Sequence, residues 1–473
     1  MAVIIFGALW MTRSFWVNVP ATSLALLISD ILLATSAFVL AHYLTLDVDP
    51  QTYLLDDGGF IHLMPVLLTI VIGMHLSDLY SQVYVRSQMV LLQQLCLIMG
   101  ITFLAQGFLS YLSPALRVPI RVMAVGSLLA MAGLFLWRIA FSAFALQVMG
   151  RDTLLLVGGS PLLEDIARHI EEHPEMALQV TGYVADGLQP GTPLPGGQVL
   201  GPISSLTEVV QATRPNRLVI GMSERRQRMP VAELLDLRFA GHIIEEVATT
   251  FEHVCGRVCI RELRPSQLIY SGELGPRIQT LVVQTISNRL LSAIGLVVAS
   301  PIMLLTALAV RLSSPGPILY RQVRVGLDGE LFTLYKFRSM RADAEAQTGA
   351  VWASRDDPRI TKVGKIIRKL RFDELPQLVN GLIGNMSIVG PRPERPEFVH
   401  SLSEKIPYYR QRHCVRPGIT GWAQINYKYG DTLEDTITKL EYDLYYIKNM
   451  SFRLDTYIIF HTVKAMLLSR GAQ

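Results

Sequence analysis

Two adjacent carboxylates follow a basic cluster in the segment Arg368–Gln377, which reads Arg-Lys-Leu-Arg-Phe-Asp-Glu-Leu-Pro-Gln. A carboxylate such as Asp373 can attack phosphorus as a nucleophile, and its neighbour Glu374 can hold a magnesium ion shared with substrate phosphates. Arg368, at the head of the segment, is a candidate for binding substrate. Most isolated charged pairs are solvated surface groups, so the surrounding residues must support the assignment. The chemistry that these residue types predict is phosphoryl transfer.

Further basic residues with a geometry suited to phosphate accompany the pair. Arg392 lies between Pro391 and Pro393, whose rings restrict the backbone around a guanidinium fork that matches phosphate oxygens. Lys336 and Arg338 belong to a second basic run, Lys-Phe-Arg-Ser-Met, and are candidates for phosphate contacts. The residues of both runs are predicted to bind substrate.

Composition places this chemistry at a membrane. Half of the residues are hydrophobic, mean hydropathy is +0.34 and 17% are charged, against roughly 25% in a typical soluble domain. Four early stretches are each about as long as the roughly 20 apolar residues that cross hydrocarbon. They are Val17–Leu46, Phe60–Leu79, Val90–Leu112 and Val118–Met149. Because these stretches lack the polar outer faces of a soluble bundle, we expect four transmembrane helices.

The charges of the loops predict an orientation. Asp47–Gly59 carries four aspartates and no lysine or arginine, so we expect it to lie outside the cell, with Arg13, Arg86 and Arg151 in the cytoplasm. Arg117 and Arg121, in the third loop, disagree with this assignment. An even number of spans returns the chain to the cytoplasm.

From Arg151 onward the pattern changes to alternating strands and helices, which predicts a Rossmann-like α/β module. The predicted elements are a strand within Thr153–Ser160, a helix at Leu162–Glu172, and strands at Gln179–Val184 and Arg217–Ile220.

The module lacks the usual signs of a bound nucleotide or metal. Gly158–Pro161 reads Gly-Gly-Ser-Pro and does not give the Gly-x-Gly-x-x-Gly fingerprint of dinucleotide binding. His253–Cys259 resembles half of a metal site, but no second pair lies nearby. Because the chain has only four cysteines, we expect them to be reduced and structural. A structural or regulatory module is therefore favoured. A membrane-attached oxidoreductase or dehydratase acting on nucleotide sugars is the alternative.

The segment Leu290–Val310 is uncharged and lies between Arg289 and Arg311. Hydropathy alone predicts a fifth span, but arginines at both ends indicate that both ends face the cytoplasm. Ser300-Pro301 falls in the middle, where proline removes a helical hydrogen bond and favours a bend. We therefore expect a re-entrant helix that enters and leaves the membrane by the same face.

The residues after Leu312 carry more lysine and arginine than aspartate and glutamate. Lys362, Lys365, Ile366 and Lys369 recur at helical spacing and predict a basic helix face directed at anionic lipid headgroups. Nucleic acid is not expected as a partner, because no recognition motif accompanies the charge.

Ser313–Gly471 resembles the catalytic domain of bacterial monotopic phosphoglycosyl transferases, which initiate exopolysaccharide and O-antigen assembly. The matching stretches are Ser314–Pro317, Lys336–Met340, Asp373–Gln377, Met386–Pro393 and Pro417–Gln424. The N-terminal plan resembles the long form of this family. Asn385 departs from the pattern, since many relatives carry an acidic residue there, and this puts a metal role at that position in doubt.

The resemblance implies a mechanism. Asp373 attacks the β-phosphorus of a UDP-sugar, UMP leaves, and undecaprenyl phosphate then attacks the sugar-phosphoryl-aspartate. Glu374, with Asp373, binds Mg²⁺. Arg392 grips the nucleotide, and Lys336 and Arg338 contact phosphate. The catalytic domain then lies on the cytoplasmic face of the bacterial inner membrane, in contact with membrane lipid.

The expected fold is a membrane protein of the α + α/β type with four regions. These are a four-helix transmembrane bundle (1–150), the α/β module (151–275), a linker with the re-entrant helix (276–313), and a mostly helical catalytic domain (314–473). The catalytic groups all lie after Leu312, so a fragment starting near Arg277 is expected to keep activity. A homodimer, the identity of the sugar, and a non-enzymatic scaffold for export machinery stay open.

Overall fold

The structure, a computed structural model, describes most of the chain. The described residues are 21–45, 52, 58–77, 79–80, 85, 87–113, 116–222, 229–260, 278–341, 359–427 and 432–467. Most of the acidic loop Asp47–Gly59, and also Arg13 and Arg86, lie outside them. The predicted orientation, which rests largely on these residues, stays a prediction.

Four long apolar helices come first. They are α1 (Ala21–Thr45), α2 (Gly59–Leu76), α3 (Gln88–Leu112) and α4 (Ile120–Met149). By length and composition, each contains a segment able to cross a membrane. These helices coincide with the four predicted spans.

The four helices bury a common core and leave apolar side chains on their outer surfaces. Phe38, Leu63, Leu95 and Leu134 are fully buried in this core, whereas Leu104 is 77% exposed. Gly126 on α4 faces the Phe38 ring so closely that an added Cβ would lie 2.5 Å from it. The glycine therefore lets α1 and α4 approach.

A charged pair is buried among these apolar helices. Arg138 on α4 lies 2.5 Å from the carboxylate of Asp30 on α1, and both side chains are less than 5% exposed. Arg138 also donates to the carbonyl of Leu79, which follows α2. One guanidinium thus joins α4, α1 and the residue Leu79 beyond α2.

We expect Arg138→Leu to destabilise the protein by about 3–5 kcal/mol, because it leaves the Asp30 carboxylate buried without its cation. The double change Arg138→Leu with Asp30→Leu removes both charges and should recover most of that loss. Thermal unfolding of purified protein in detergent measures both values. A double variant less stable than Arg138→Leu would contradict this explanation.

The α/β module contains a six-stranded mixed sheet in the order β3-β4-β2-β1-β5-β6. Its strands are β1 (Asp152–Gly158), β2 (Leu178–Val184), β3 (Pro193–Leu194), β4 (Gly197–Gly201), β5 (Arg217–Gly221) and β6 (Ile243–Glu246). Its helices are α5 (Pro161–Glu172), α6 (Leu206–Thr213), α7 (Val231–Phe239) and α8 (Val247–Cys255). The predicted strands and helix are confirmed, while the short strands β3, β4 and β6 were not predicted.

Packing explains the glycine at the end of β1. Gly158 has φ +116°, and an added Cβ would lie 2.4 Å from the carbonyl oxygen of Gly221 at the end of β5. The close approach of two strand ends therefore requires this glycine, with no need for a bound phosphate.

The remaining part of the chain is mostly helical. Its helices are α9 (Ile278–Ser313), α10 (Lys362–Lys369), α11 (Gln377–Ile383), α12 (Pro396–Lys405), α13 (Trp422–Asn426), α14 (Leu433–Lys448) and α15 (Phe452–Leu467). An antiparallel hairpin pairs β7 (Leu319–Val325) with β8 (Leu331–Phe337), and β9 (Ser387–Val389) pairs in parallel with β10 (Gly418–Thr420).

Helix α9 is a single helix of 36 residues that continues through Pro301. A proline has no N–H for the carbonyl four residues before it, which here belongs to Val297. The Ser300 hydroxyl donates to that carbonyl at 2.8 Å and replaces the missing donor. The serine thus provides a donor for the Val297 carbonyl, which proline would otherwise leave without one. That α9 enters and leaves the membrane by the same face stays a proposal.

The end of the predicted α/β module packs into the core of the catalytic region. Val258 and Ile260 are buried in one cluster with Leu440 and Leu444 of α14. The backbone N–H of Ile260 also donates to the buried carboxylate of Glu441. The core of the catalytic region therefore includes residues that precede the predicted boundary at 275.

Helix α8 makes further contacts with the same region. Glu252 forms an ion pair of 2.9 Å with Lys448, and the Trp422 indole donates to the Gly256 carbonyl at 2.7 Å. Cys255 and Cys259 are buried, and burial raises the pKa of Cys255 to about 12. This fits the predicted structural role for these cysteines.

We expect a fragment of residues 277–473 to be much less stable than one of residues 246–473. The shorter fragment loses Val258 and Ile260, whose burial contributes about 1.5–3 kcal/mol each, and leaves Glu441 without the Ile260 N–H. Circular dichroism melts of both fragments in the same detergent measure the difference. Equal melting temperatures would show that α8 and residues 256–260 only lie against the catalytic region.

Candidate active site

The two carboxylates lie in a 3₁₀ turn, Phe372–Glu374, between α10 and α11. Arg371 adopts the left-handed conformation with φ +58° and so reverses the chain directly after α10. Phe372 then packs against the core formed by Val310, Phe337 and Ile367. This anchor fixes the turn from the apolar side.

The carboxylate of Glu374 is surrounded by three cations from different parts of the chain. Its Oε1 lies 2.9 Å from Arg392 and 3.3 Å from Lys336, and its Oε2 lies 3.5 Å from Arg371. Burial raises the pKa of Glu374, but Arg392, Lys336 and Arg371 outweigh burial and hold that pKa well below its ordinary value. Glu374 is therefore ionised at any physiological pH.

The environment of Asp373 shifts its pKa in the opposite direction from that of Glu374. Its side chain is buried, and burial together with the charge of Glu374 raises the pKa of Asp373 to about 6, against the opposing effects of Lys336, Arg368 and Arg371. At neutral pH this carboxylate is ionised but more basic than an ordinary aspartate. A more basic carboxylate is the better nucleophile of the pair.

A small polar cleft adjoins Glu374. Its lining includes Arg324, Lys336, Gln377, Arg392 and Pro393. Burial lowers the pKa of Lys336, and Glu374 opposes that effect. Three basic side chains at one cleft form a site that suits an anion with several oxygens, such as a diphosphate.

The sequence argument did not assign a role to Arg324 or Gln424. Arg324, on β7, donates to the Pro393 carbonyl at 3.0 Å, and the amide oxygen of Gln424 accepts from the Arg392 guanidinium at 3.0 Å. Arg324 belongs to the basic run Arg321–Gly326, and Gln424 ends the stretch Pro417–Gln424 that resembles the family. Their spacing gave no sign that they meet the Pro-Arg-Pro turn.

Arg338 was predicted to contact phosphate, and in the structure its guanidinium has backbone partners instead. Its guanidinium is buried and donates to the carbonyls of Ser314 and Pro315, at 2.7 and 3.1 Å. Alternation along a strand would place Arg338 on the same face as Lys336, but β8 ends at Phe337. Arg338 therefore holds the chain that follows α9.

The other predicted residues lie near the turn or at the surface. Arg368, in the last turn of α10, is near enough to lower the pKa of Asp373. The predicted basic face of α10 is exposed as expected, and includes Ile366 at 61% exposure. Pro391 and Pro393 are buried, and Asn385 is exposed just beyond α11.

The carboxylates of Asp373 and Glu374 could hold a magnesium ion. Mg²⁺ takes oxygen ligands and is commonly bound by one or two carboxylates together with substrate phosphates and water. Two adjacent carboxylates in one turn supply such a set. Arg392 and Lys336 now pair with the carboxylate of Glu374. An entering diphosphate that attracts these two cations would free the oxygens of Glu374 for the metal.

Comparison with known proteins gives the family of the chain. Residues 279–469 match the family model described as "Bacterial sugar transferase". A UDP-glucose:undecaprenyl-phosphate glucose-1-phosphate transferase of Escherichia coli (strain K12) is 35% identical over 325 residues, which cover 67% of each chain. The chain belongs to the bacterial sugar transferase family.

Two other relatives match a smaller part of this chain. A UDP-N-acetylgalactosamine-undecaprenyl-phosphate N-acetylgalactosaminephosphotransferase of Aeromonas hydrophila is 46% identical over 222 residues, 47% of this chain. That match spans about half of the relative's length, 52%. The exopolysaccharide production protein PSS of Rhizobium leguminosarum bv. phaseoli is 42% identical over 188 residues, 37% of this chain and 90% of the relative.

Two basic residues two positions apart should respond differently to substitution. Lys336→Met removes one of three cations from Glu374, so we expect weaker binding of UDP with little change in melting temperature. Arg338→Met leaves buried carbonyls without their donor, and each charged hydrogen bond lost costs about 1.5–3 kcal/mol. We therefore expect Arg338→Met to lower the melting temperature.

Isothermal titration with UDP and thermal melts of both variants separate the two roles. Loss of UDP binding in a well-folded Arg338→Met protein would restore Arg338 as a substrate contact.

Proposed function

We propose that this protein transfers a sugar 1-phosphate from a UDP-sugar to undecaprenyl phosphate. The observation that carries the proposal is the 3₁₀ turn Phe372–Glu374. In this turn Asp373 is buried and has a raised pKa, and its neighbour Glu374 is surrounded by three cations. Family membership supports the same reaction, since the named relatives from Escherichia coli and Aeromonas hydrophila are undecaprenyl-phosphate sugar phosphotransferases.

The proposed reaction has two displacements at one phosphorus. An oxygen of Asp373 attacks the β-phosphorus of the UDP-sugar, the bond from that phosphorus to the bridging oxygen breaks, and UMP leaves with the bridging oxygen. A phosphate oxygen of undecaprenyl phosphate then attacks the same phosphorus. The aspartyl–phosphorus bond breaks, Asp373 is regenerated, and undecaprenyl-diphosphate-sugar is released.

The basic residues of the cleft orient the donor and reduce its charge. Lys336 and Arg392 shift from Glu374 toward the diphosphate, which otherwise repels an anionic nucleophile. Mg²⁺ held by Glu374 and Asp373 would further offset the charge of the diphosphate. Gln424 keeps one side of the Arg392 guanidinium in place during the exchange.

A membrane location suits the acceptor, because undecaprenyl phosphate keeps its chain in lipid and presents its phosphate at the headgroups. We propose that α9 re-enters the membrane, that the catalytic region faces the cytoplasm of the inner membrane, and that the exposed basic face of α10 contacts lipid headgroups. The exposed apolar side chains of α9, among them Val297 and Leu304, support its insertion. Initiation of exopolysaccharide or O-antigen assembly is the cellular role that we propose.

Purified protein with undecaprenyl phosphate, Mg²⁺ and a panel of UDP-sugars should release UMP. Asp373→Asn should reduce the rate at least 1,000-fold, because a neutral amide cannot form the bond to phosphorus. Glu374→Gln should lower turnover and weaken the response to Mg²⁺, and chelation with EDTA should stop the wild type. Glu397→Gln, at an exposed carboxylate of α12, is the matched control and should keep wild-type activity. Activity that survives in Asp373→Asn would exclude the covalent mechanism.

A further inference from the structure

The Pro-Arg-Pro turn is held by donors to its three carbonyl groups. Because Pro391 and Pro393 have no N–H, the turn can donate few backbone hydrogen bonds of its own. The Pro391 carbonyl accepts from the Gly418 N–H at 2.9 Å, and the Pro393 carbonyl accepts from Arg324 at 3.0 Å. The middle carbonyl, that of Arg392 itself, accepts from Arg412 at 3.0 Å.

Arg412 is a buried cation and is not among the residues that line the cleft. It lies in the 3₁₀ segment Tyr409–His413 and is 7% exposed. Its Nη1 donates to the Tyr409 hydroxyl at 2.7 Å, and its Nη2 lies 2.8 Å from the carboxylate of Asp443 on α14. Tyr409 and Asp443 thus hold the guanidinium on two sides. Its Nη2 also donates to the Arg392 carbonyl.

Burying the Arg412–Asp443 ion pair costs free energy that apolar side chains in the same space would not cost. Removing two charges from water costs several kcal/mol, and apolar residues of similar volume often stabilise a protein as well or better. What an apolar pair cannot supply is a donor to the Arg392 carbonyl. The feature that distinguishes the charged pair is therefore its hold on the backbone of the arginine that contacts Glu374.

We propose that Arg412, oriented by Asp443, is a positioning residue that fixes Arg392 for a nucleoside diphosphate. It acts through the Arg392 backbone and touches neither the diphosphate nor the sugar. The inference rests on the proposed function only in taking Arg392 as the nucleotide-binding residue. Without Arg412 the turn loses its central support, and the guanidinium of Arg392 samples positions away from Glu374 and the cleft.

The test uses the full-length double variant Arg412→Met with Asp443→Leu, which removes both charges and leaves no unpaired one. We expect it to fold, to raise the Kd for UDP and the KM for the UDP-sugar about tenfold, and to change kcat much less. In an Arg392→Met background, the same double change should have no further effect on either constant. Arg138→Leu with Asp30→Leu, which removes a buried pair elsewhere, is the matched control and should leave both constants unchanged.

Two results would overturn the inference. One is a double variant with wild-type Kd and KM, whether or not its melting temperature falls. The other is an effect on Kd that adds fully to that of Arg392→Met, since independent sites give additive free energies. If the double variant does not fold, Arg412→Lys provides the same test, because it keeps a positive charge beside Asp443 but lacks the fork that reaches the Arg392 carbonyl as well.

Titration with UDP measures binding alone. It therefore tests the positioning role of Arg412 separately from the proposed transfer reaction. A wild-type protein that binds UDP but releases no UMP overturns the proposed reaction and leaves the positioning test in force.

Discussion

The concentration of positive charge around Glu374 is the constraint on which the candidate site depends. Lys336, Arg371 and Arg392 come from a strand, a turn and a proline-bound loop, and they meet at one carboxylate. These cations would repel one another without an anion between them. The same charge makes the cleft attractive to a diphosphate, which can take the place of Glu374.

Rigid support for this charge comes from donors to backbone carbonyls. The Pro-Arg-Pro turn is held through its carbonyls by Gly418, Arg324 and Arg412, and Arg338 holds the carbonyls of Ser314 and Pro315. Arginine suits this work, since one planar guanidinium can reach several acceptors. Of these arginines, only Arg324 also lines the cleft. An electrostatic site functions best when its charges cannot relax, so these supports belong to the chemistry as much as to the fold.

The part of the chain that matches the family is not the whole folding unit in this protein. Residues 258 and 260 complete the core around α14, and α8 contacts Trp422, two residues before the Gln424 that binds Arg392. A short relative such as the Rhizobium protein, 90% covered by 188 residues of this chain, has little length beyond the catalytic region. In this chain, residues 252–260 therefore pack against the region that carries the candidate site.

Local pattern in the sequence determined the apolar helices, strands β1, β2 and β5 of the module and the Asp373-Glu374 pair, because hydrophobic periodicity and adjacent residues carry that information. Tertiary structure decided which charges meet. Lys336 and Arg338 look equivalent in sequence, yet one pairs with Glu374 and the other holds Ser314, because the strand ends between them. The contact of Arg412 with Asp443 joins residues far apart in the chain. Such contacts depend on how distant segments pack, and neither composition nor spacing specifies that packing.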